Sequence, residues 1–304
     1  MAGLKELRTR LNAVKSTKKI TTAMKLVAAS KFKKATSALE KNKHYALLVE
    51  NAAARVLLEY QKEEQTKKIT HILPPLLGNF QNARNYLLIV FSSERGLCGS
   101  YNQNVAKAVI KRINTLKKEK KSFKIACYGK KAYEILKKNH EKDIIFVEPS
   151  FATGGGIFYD EALMLTDKIK NFVAGGSFDV CEVIFSRFHS ALNREMSVLK
   201  AYPLDINDID IKADADHVGS AYFDYKGSKE EVLDEALQKL LVNRIFGAML
   251  SAEASEQGAR MSAMDNATEN AKDMIATLNL KYNTLRQSAI TTELNEIISG
   301  AEAI

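Results

Sequence analysis

From Ser228 to Ile298 the sequence contains no proline and only two glycines, Gly247 and Gly258. The stretch opens on Ser228-Lys-Glu-Glu231, a pattern in which the serine hydroxyl and the glutamate carboxylate satisfy free N–H groups of a first helical turn. The spacing predicts one helix over 231–299, on the order of 100 Å long at ~1.5 Å per residue. A compact globule built from a chain of this length is only about 50 Å across. A helix of that length is therefore expected to extend beyond any globule, and its apolar face needs a partner helix.

The other end of the chain supplies that partner. Leu4, Leu7, Leu11, Val14, Lys18, Thr21, Lys25, Ala28, Phe32, Ala35 and Leu39 follow one another by threes and fours, the spacing of a supercoiled seam. The seam turns polar at Lys18, Thr21 and Lys25. A second stripe (Ile20, Met24 and Val27) is expected to take over the apolar role there and rotate the buried face. In the C-terminal helix small residues recur at Ala248, Ala252, Ser255, Ala259, Ala263, Ala267 and Ala271, with bulkier positions from Met274 onward. Ala259, Ala263 and Ala267 are read as the centre of a narrow seam that lets two backbones approach closely. The two chain ends are expected to form a long antiparallel helical pair with a separate domain between them.

Nothing in the 304 residues suggests a membrane span or an apolar leader, and Leu87–Phe91 is the longest tight apolar cluster. Cys98, Cys127 and Cys181 lack metal-site spacing and read as buried thiols of a reducing compartment. The net charge of +9 is uneven: through Lys43 twelve cations face only Glu6 and Glu40. A basic helix of this kind suits an acidic protein surface or nucleic acid. The second reading expects aromatics among the cations, yet only Phe32 lies there.

Between the helical ends the period changes. Short β-branched and aromatic runs at Tyr86–Phe91, Phe123–Tyr128, Ile144–Val147 and Val180–Phe185 read as strands, with Met196–Tyr202 as a last one. Helical patterns at Asn102–Lys118, Lys130–Lys138 and Phe158–Val173 alternate with them. The expected fold class is α/β: a long antiparallel coiled coil of the terminal helices plus a Rossmann-like α/β domain with a mainly parallel sheet. The boundaries follow as an N-terminal helix over 1–60, an α/β domain over 80–204, an acidic connection over 205–227 and a C-terminal helix over 228–304. A polar stretch, Gln61–Lys68, and then Pro74-Pro75 close the first helix.

No motif for chemistry emerges. Gly96-Leu-Cys-Gly99 follows a strand and opens a helix, but the chain has neither a dinucleotide fingerprint nor a phosphate loop. Gly154-Gly155-Gly156 reads as a plain loop. The five histidines, His44, His71, His140, His189 and His217, are scattered. The aspartates of 205–216 lack the glycine and final glutamate of a calcium loop. No catalytic residue, cofactor site or metal site is expected.

Several motifs together resemble the gamma subunits of F-type ATP synthases. They are Ile20-Thr-Thr-Ala-Met-Lys-Leu-Val-Ala-Ala-Ser-Lys31, Ser93-Glu-Arg-Gly-Leu-Cys-Gly-Ser100, Ser255-Glu-Gln-Gly-Ala-Arg-Met261 with Asp265-Asn-Ala-Thr-Glu-Asn-Ala271, and the closing Ile290-Thr-Thr-Glu-Leu-Asn-Glu-Ile-Ile-Ser-Gly-Ala301. Glu94 stands where the family usually has Asp, and Ser100 where it usually has Gly. The resemblance implies a central rotor shaft, with no catalysis of its own, inside a hexamer of alpha and beta subunits. Its foot would bind the epsilon subunit and the membrane c-ring, so that proton flow turns the shaft and drives ATP synthesis. It also implies contacts to beta-subunit loops through Met24, Lys25, Arg286, Gln287 and Thr291, to which Glu293 is added from its place beside them. A bacterial protein, peripheral on the cytoplasmic face of the inner membrane, is expected. The alternative is a basic coiled-coil protein that binds nucleic acid.

Overall fold

The computed structural model describes residues 2–67, 76–78, 83–151, 156–190, 193–205 and 228–302. In order these form α1 (Ala2–Lys67), β1 (Asn85–Phe91), α2 (Tyr101–Lys118), β2 (Ser122–Tyr128), α3 (Lys130–His140), β3 (Ile144–Glu148), α4 (Tyr159–Ala174), β4 (Val180–Phe188), β5 (Arg194–Tyr202) and α5 (Lys229–Glu302). The chain divides into two units, residues 31–259 and residues 1–30 with 260–304. Both terminal helices contribute to each.

In the larger unit the five strands run in the order β3-β2-β1-β4-β5. The first four are parallel, and β5 returns antiparallel to β4. The central strand β1 is buried on both faces, which explains its unbroken apolar run, Tyr86 to Phe91. Its alternate residues serve two cores. Leu87, Ile89 and Phe91 pack with α4 and with the parts of α1 and α5 in this unit, including Leu57, Leu165, Leu237 and Ile245. Tyr86, Leu88 and Val90 face α2 and α3, including Val105, Val109, Ile113 and Leu136. The sheet therefore carries one helical layer on each side.

Local chemistry fixes the turns. Gly129 has φ +96°, and a Cβ there would meet the Ser92 carbonyl oxygen at 2.2 Å, so the ends of β1 and β2 can approach only with glycine. The 93–102 loop closes on its own side chains. The Asn102 amide donates to Ser93 Oγ (2.7 Å) and Cys98 Sγ (3.1 Å), and the Ser93 N–H donates to Asn102 Oδ1 (3.2 Å). These bonds tie the two ends of the glycine-flanked loop to each other. The expected capping box of α5 is present, with the Glu231 N–H 3.2 Å from Ser228 Oγ and the Ser228 N–H 3.3 Å from the Glu231 carboxylate.

Two expectations need correction. α1 runs to Lys67, past the expected end near Tyr60. Gln61-Lys-Glu-Glu-Gln-Thr-Lys67 is polar but consists largely of good helix formers, so polarity did not end the helix. The second correction concerns the stripe of Ile20, Met24 and Val27: Ile20 and Val27 are each 59% exposed, and Met24 is only partly covered. The buried face does not rotate. It stays on Thr21, which is 8% exposed. The acidic 206–216 stretch, Pro74-Pro75, His71, His217 and Gly154-Gly155 lie outside the described residues.

Candidate partner-binding surfaces

In the smaller unit the first part of α1 lies against the last part of α5. Leu11, Thr21 and Ala28 are buried on α1, and Met264, Thr268, Ala271 and Leu278 on α5. The four α5 positions advance by four, three and seven, a heptad seam. The polar seam position is resolved by pairing. The Thr21 and Thr268 hydroxyl oxygens stand 2.8 Å apart, and the two hydroxyls also have the carbonyls of Lys18 (3.1 Å) and Met264 (2.7 Å) as acceptors. A buried hydroxyl that finds a hydroxyl partner costs little, so the chain had no need to turn an apolar stripe inward here. Ala263 and Ala267 are half-buried beside Met264 and Thr268. Ala259 belongs to the larger unit and is buried with the α2–α3 core.

The residues expected to touch a beta subunit fall in two places. Lys25 sits on the flank of the seam and forms an ion pair with Asp265 at 2.6 Å, with 39% and 57% of the two side chains exposed. Such a pair is screened by solvent and contributes little. Arg286, Gln287, Thr291 and Glu293 lie on α5 and are all exposed. Along an ideal helix Arg286 stands roughly 30 Å beyond Asp265 at ~1.5 Å per residue. The two groups are thus separate patches on one rod and not one site. Thr291 Oγ1 donates to the Gln287 carbonyl at 2.9 Å, which anchors its side chain to its own helix.

Beyond Tyr282 the character of α5 changes. From 283 to 299 every position is exposed except the half-buried Ala289, including Leu285, Ile290, Leu294, Ile297 and Ile298. At about 100° per residue, Ile290, Leu294 and Ile297 lie between the Arg286–Glu293 edge and the Gln287–Thr291 edge. Apolar and hydrogen-bonding groups are therefore interleaved over one face.

In the larger unit α5 seats on the carboxyl end of the sheet. Ser251 Oγ accepts from the Phe188 N–H (2.7 Å), Ser255 Oγ donates to the Ser186 carbonyl (3.0 Å), and the Tyr101 hydroxyl donates to the Ala252 carbonyl (3.3 Å). In open parallel sheets that edge is the usual ligand crevice. Beside a wider open groove of about 490 Å³ at Tyr128, Glu148 and Lys168, the helix encloses a cavity of about 20 Å³, lined by Phe91, Ser92, Tyr128, Met249, Glu253 and Glu256. That is room for about one water molecule. Glu253 is 8% exposed. Burial, with the neighbouring Glu256 and Glu161 charges against the attraction of Lys31, lifts its carboxyl to about 7. Sequence reasoning passed over Glu253, although a carboxylate within the small-residue stripe between Ala252 and Ser255 was a visible signal.

Two of the cysteines are held as thiols by burial. Burial pushes the Cys127 thiol up to about 12 and the Cys181 thiol higher still. His140 approaches Asp143 (3.3 Å) and His189 approaches Glu195 (3.4 Å), both as simple pairs. Among the described residues no three His, Cys, Asp or Glu side chains gather as metal ligands, and no helix is long and apolar enough to cross a membrane.

Comparison with known proteins agrees with this geometry. The family model described as ATP synthase matches residues 3–304. The ATP synthase gamma chain of Maricaulis maris is 38% identical over 304 residues, and that of Rhodospirillum rubrum 37% over 313, with 100% of both chains covered in each case. Among solved structures, the central stalk and c-ring of the Tetrahymena thermophila mitochondrial ATP synthase includes a chain with a TM-score of 0.59. It is 24% identical, and the match covers 82% of this chain and 99% of that one. A chain of the Euglena gracilis mitochondrial enzyme gives 0.54 at 19% identity, covering 90% and 95%. At those identities the structural likeness speaks for the fold alone. The nucleic-acid alternative draws no support from any of these matches. Full-length matches at this identity, together with the terminal helical pair and the mainly parallel sheet, lead to one conclusion: the chain belongs to the ATP synthase gamma chain family.

Proposed function

We propose that this chain is the rotating central stalk of a proton-translocating F-type ATP synthase, without catalysis of its own. In this reading the tip of α5 stands inside a hexamer of alpha and beta subunits, and the larger unit meets the epsilon subunit and the membrane c-ring. Proton flow turns the ring and the stalk together, and the stalk drives the hexamer through the conformations that make ATP. The assembly lies on the cytoplasmic face of a bacterial inner membrane, where this chain is peripheral. The bacterial gamma chains among its relatives support that placement.

The observation that carries the reading is the bare end of α5. A helix whose 286–299 segment exposes Ile290, Leu294, Ile297 and Ile298, beyond the last groove that it shares with α1 at Thr284 and Leu285, is suited to a surrounding sleeve. Arg286, Gln287, Thr291 and Glu293 interrupt that apolar character with groups that can catch a loop of the sleeve at each stop. Met24 and Lys25 offer a second, lower contact. Co-purification tests the assignment: tagged chain expressed with the alpha and beta subunits should return a complex with one copy of this chain per three of each. Recovery of the chain alone, or with nucleic acid, would contradict it.

A further inference from the structure

The first helix is not the only cationic part of the chain. Residues 101–148 carry thirteen Lys and Arg against five Asp and Glu, a net +8. This stretch builds the α2–α3 layer on one side of the sheet, with the apolar positions of both helices turned onto β1 and β2. The opposite side of that layer carries exposed lysines: Lys107, Lys111 and Lys118 on α2, and Lys130, Lys137 and Lys138 on α3. On α2 the three fall within about 40° of one another on the helical wheel.

Little neutralises this face. α2 contains no acidic residue. Glu119 and Glu134 are each taken by a different lysine, Lys121 at 2.9 Å and Lys131 at 2.7 Å. Asp143 faces His140 in the turn that follows α3. The hydrogen bond from Lys131, with the charges of Lys131, Lys130 and Lys137 behind it, holds the Glu134 carboxyl below its ordinary value. The one arginine, Arg112, is drawn inward, where its guanidinium forms two 2.6 Å bonds with the buried Glu182 carboxylate.

The chemistry of the face narrows the partner. It offers compact ammonium charges and no available guanidinium fork, so it lacks the group that most often reads base edges in nucleic acid. Its aromatic neighbours, Phe123 and Tyr133, are partly buried and lie under Lys117 and Lys137, which leaves no stacking platform for bases. The lysines stand on the outer sides of two helices, α2 and α3. A broad array of flexible point charges matches a broad anionic plane. We propose that the lysine face of the α2–α3 layer is a contact surface for anionic phospholipid headgroups. This rests on the reading that the chain works beside a membrane, and it adds a direct lipid contact to the contact made through partner subunits.

Flotation with vesicles tests it. Full-length chain is mixed with vesicles of phosphatidylcholine alone, or of phosphatidylcholine with phosphatidylglycerol. Three chains are compared: the parent, one with Lys107, Lys111, Lys118, Lys130, Lys137 and Lys138 all replaced by Gln, and one with Lys33, Lys34 and Lys41 of α1 replaced by Gln. All these positions are exposed, and circular dichroism checks that each chain is folded. The parent should float with the anionic vesicles only, and added salt should weaken it steeply. The six-lysine variant should lose tenfold or more in binding, and the α1 variant should keep most of it. Equal binding by parent and six-lysine variant, loss only in the α1 variant, or equal binding to neutral vesicles would overturn the proposal. So would loss of oligonucleotide binding with vesicle binding unchanged. Assembly of the six-lysine variant with the alpha and beta subunits is read separately. A chain that assembles but never binds vesicles refutes the lipid contact alone, and a parent that fails to assemble refutes the stalk reading.

Discussion

Replacing Glu253 with Gln should make the protein more stable at neutral and alkaline pH and remove much of its pH dependence. The carboxyl is lifted from 4.5 to about 7, chiefly by burial and then by Glu256, with Lys31 opposing and Glu161 adding a little. In the unfolded chain the proton leaves near the ordinary value, whereas in the folded chain it is held to about 7. Between those limits the folded state binds more protons, so the contribution of protonated Glu253 is fully present below the ordinary value and is lost as pH rises through about 7. A difference of about 2.5 in pKa at 1.36 kcal/mol each corresponds to about 3 kcal/mol. At roughly 2–4 °C per kcal/mol the unfolding midpoint should rise by several degrees in Glu253→Gln at pH about 8, and barely move at pH about 5. Thermal unfolding followed by circular dichroism over that range measures it. Lys31→Met should deepen the parent's loss of stability with pH, because it removes the one attraction that favours the charged form. Identical pH dependence in parent and Glu253→Gln would refute the reasoning.

Thr268→Val should leave the Thr21 hydroxyl without its seam partner and cost about 1–2 kcal/mol, while the double change with Thr21→Val should recover part of that; chemical denaturation of all three variants decides it. Arg286→Ala and Gln287→Ala should lower steady-state ATP turnover of the reconstituted complex while leaving its subunit composition unchanged, since a charge-assisted hydrogen bond of roughly 1.5–3 kcal/mol can set the dwell at each stop. Calorimetric titration of the isolated chain with Mg-ATP should show no binding at micromolar concentration, because the sequence holds no phosphate loop.

Much of this architecture was legible in the residues. The heptad steps of α1 placed Leu11, Ala28, Ala35 and Leu39 in the buried seam, and the capping box marked the start of α5 to within a residue. The alternation of strands and helices gave the sheet elements with ends shifted by no more than three residues, the largest at the end of β4. What failed was inference from polarity alone. Thr21 reads as a break in an apolar stripe, but the structure pairs it with Thr268, 247 positions away. Periodicity within one helix cannot reveal a partner on another. The polar run before Lys67 reads as the close of the first helix only while polarity and helix propensity are not separated. Glu253 was hidden for a related reason. Its protonation depends on Lys31, Glu161 and Glu256, two of which lie on other helices. The candidate contact residues at the tip of α5 came from family motifs; their exposure is visible only in the structure.

The central claim is that torque passes through this chain. Its most direct test places the chain in an assembled enzyme in membrane vesicles and measures ATP-driven proton pumping beside ATP hydrolysis, for the parent and for Met24→Lys. Met24 is partly buried beside Lys25 on the flank of the seam, where an added charge would create new contacts with acidic loops of an enclosing subunit. The parent should couple hydrolysis to pumping, and Met24→Lys should assemble, hydrolyse ATP and pump poorly. A complex that pumps normally without this chain would contradict the claim outright, and full pumping per ATP in Met24→Lys would remove Met24 from the contact.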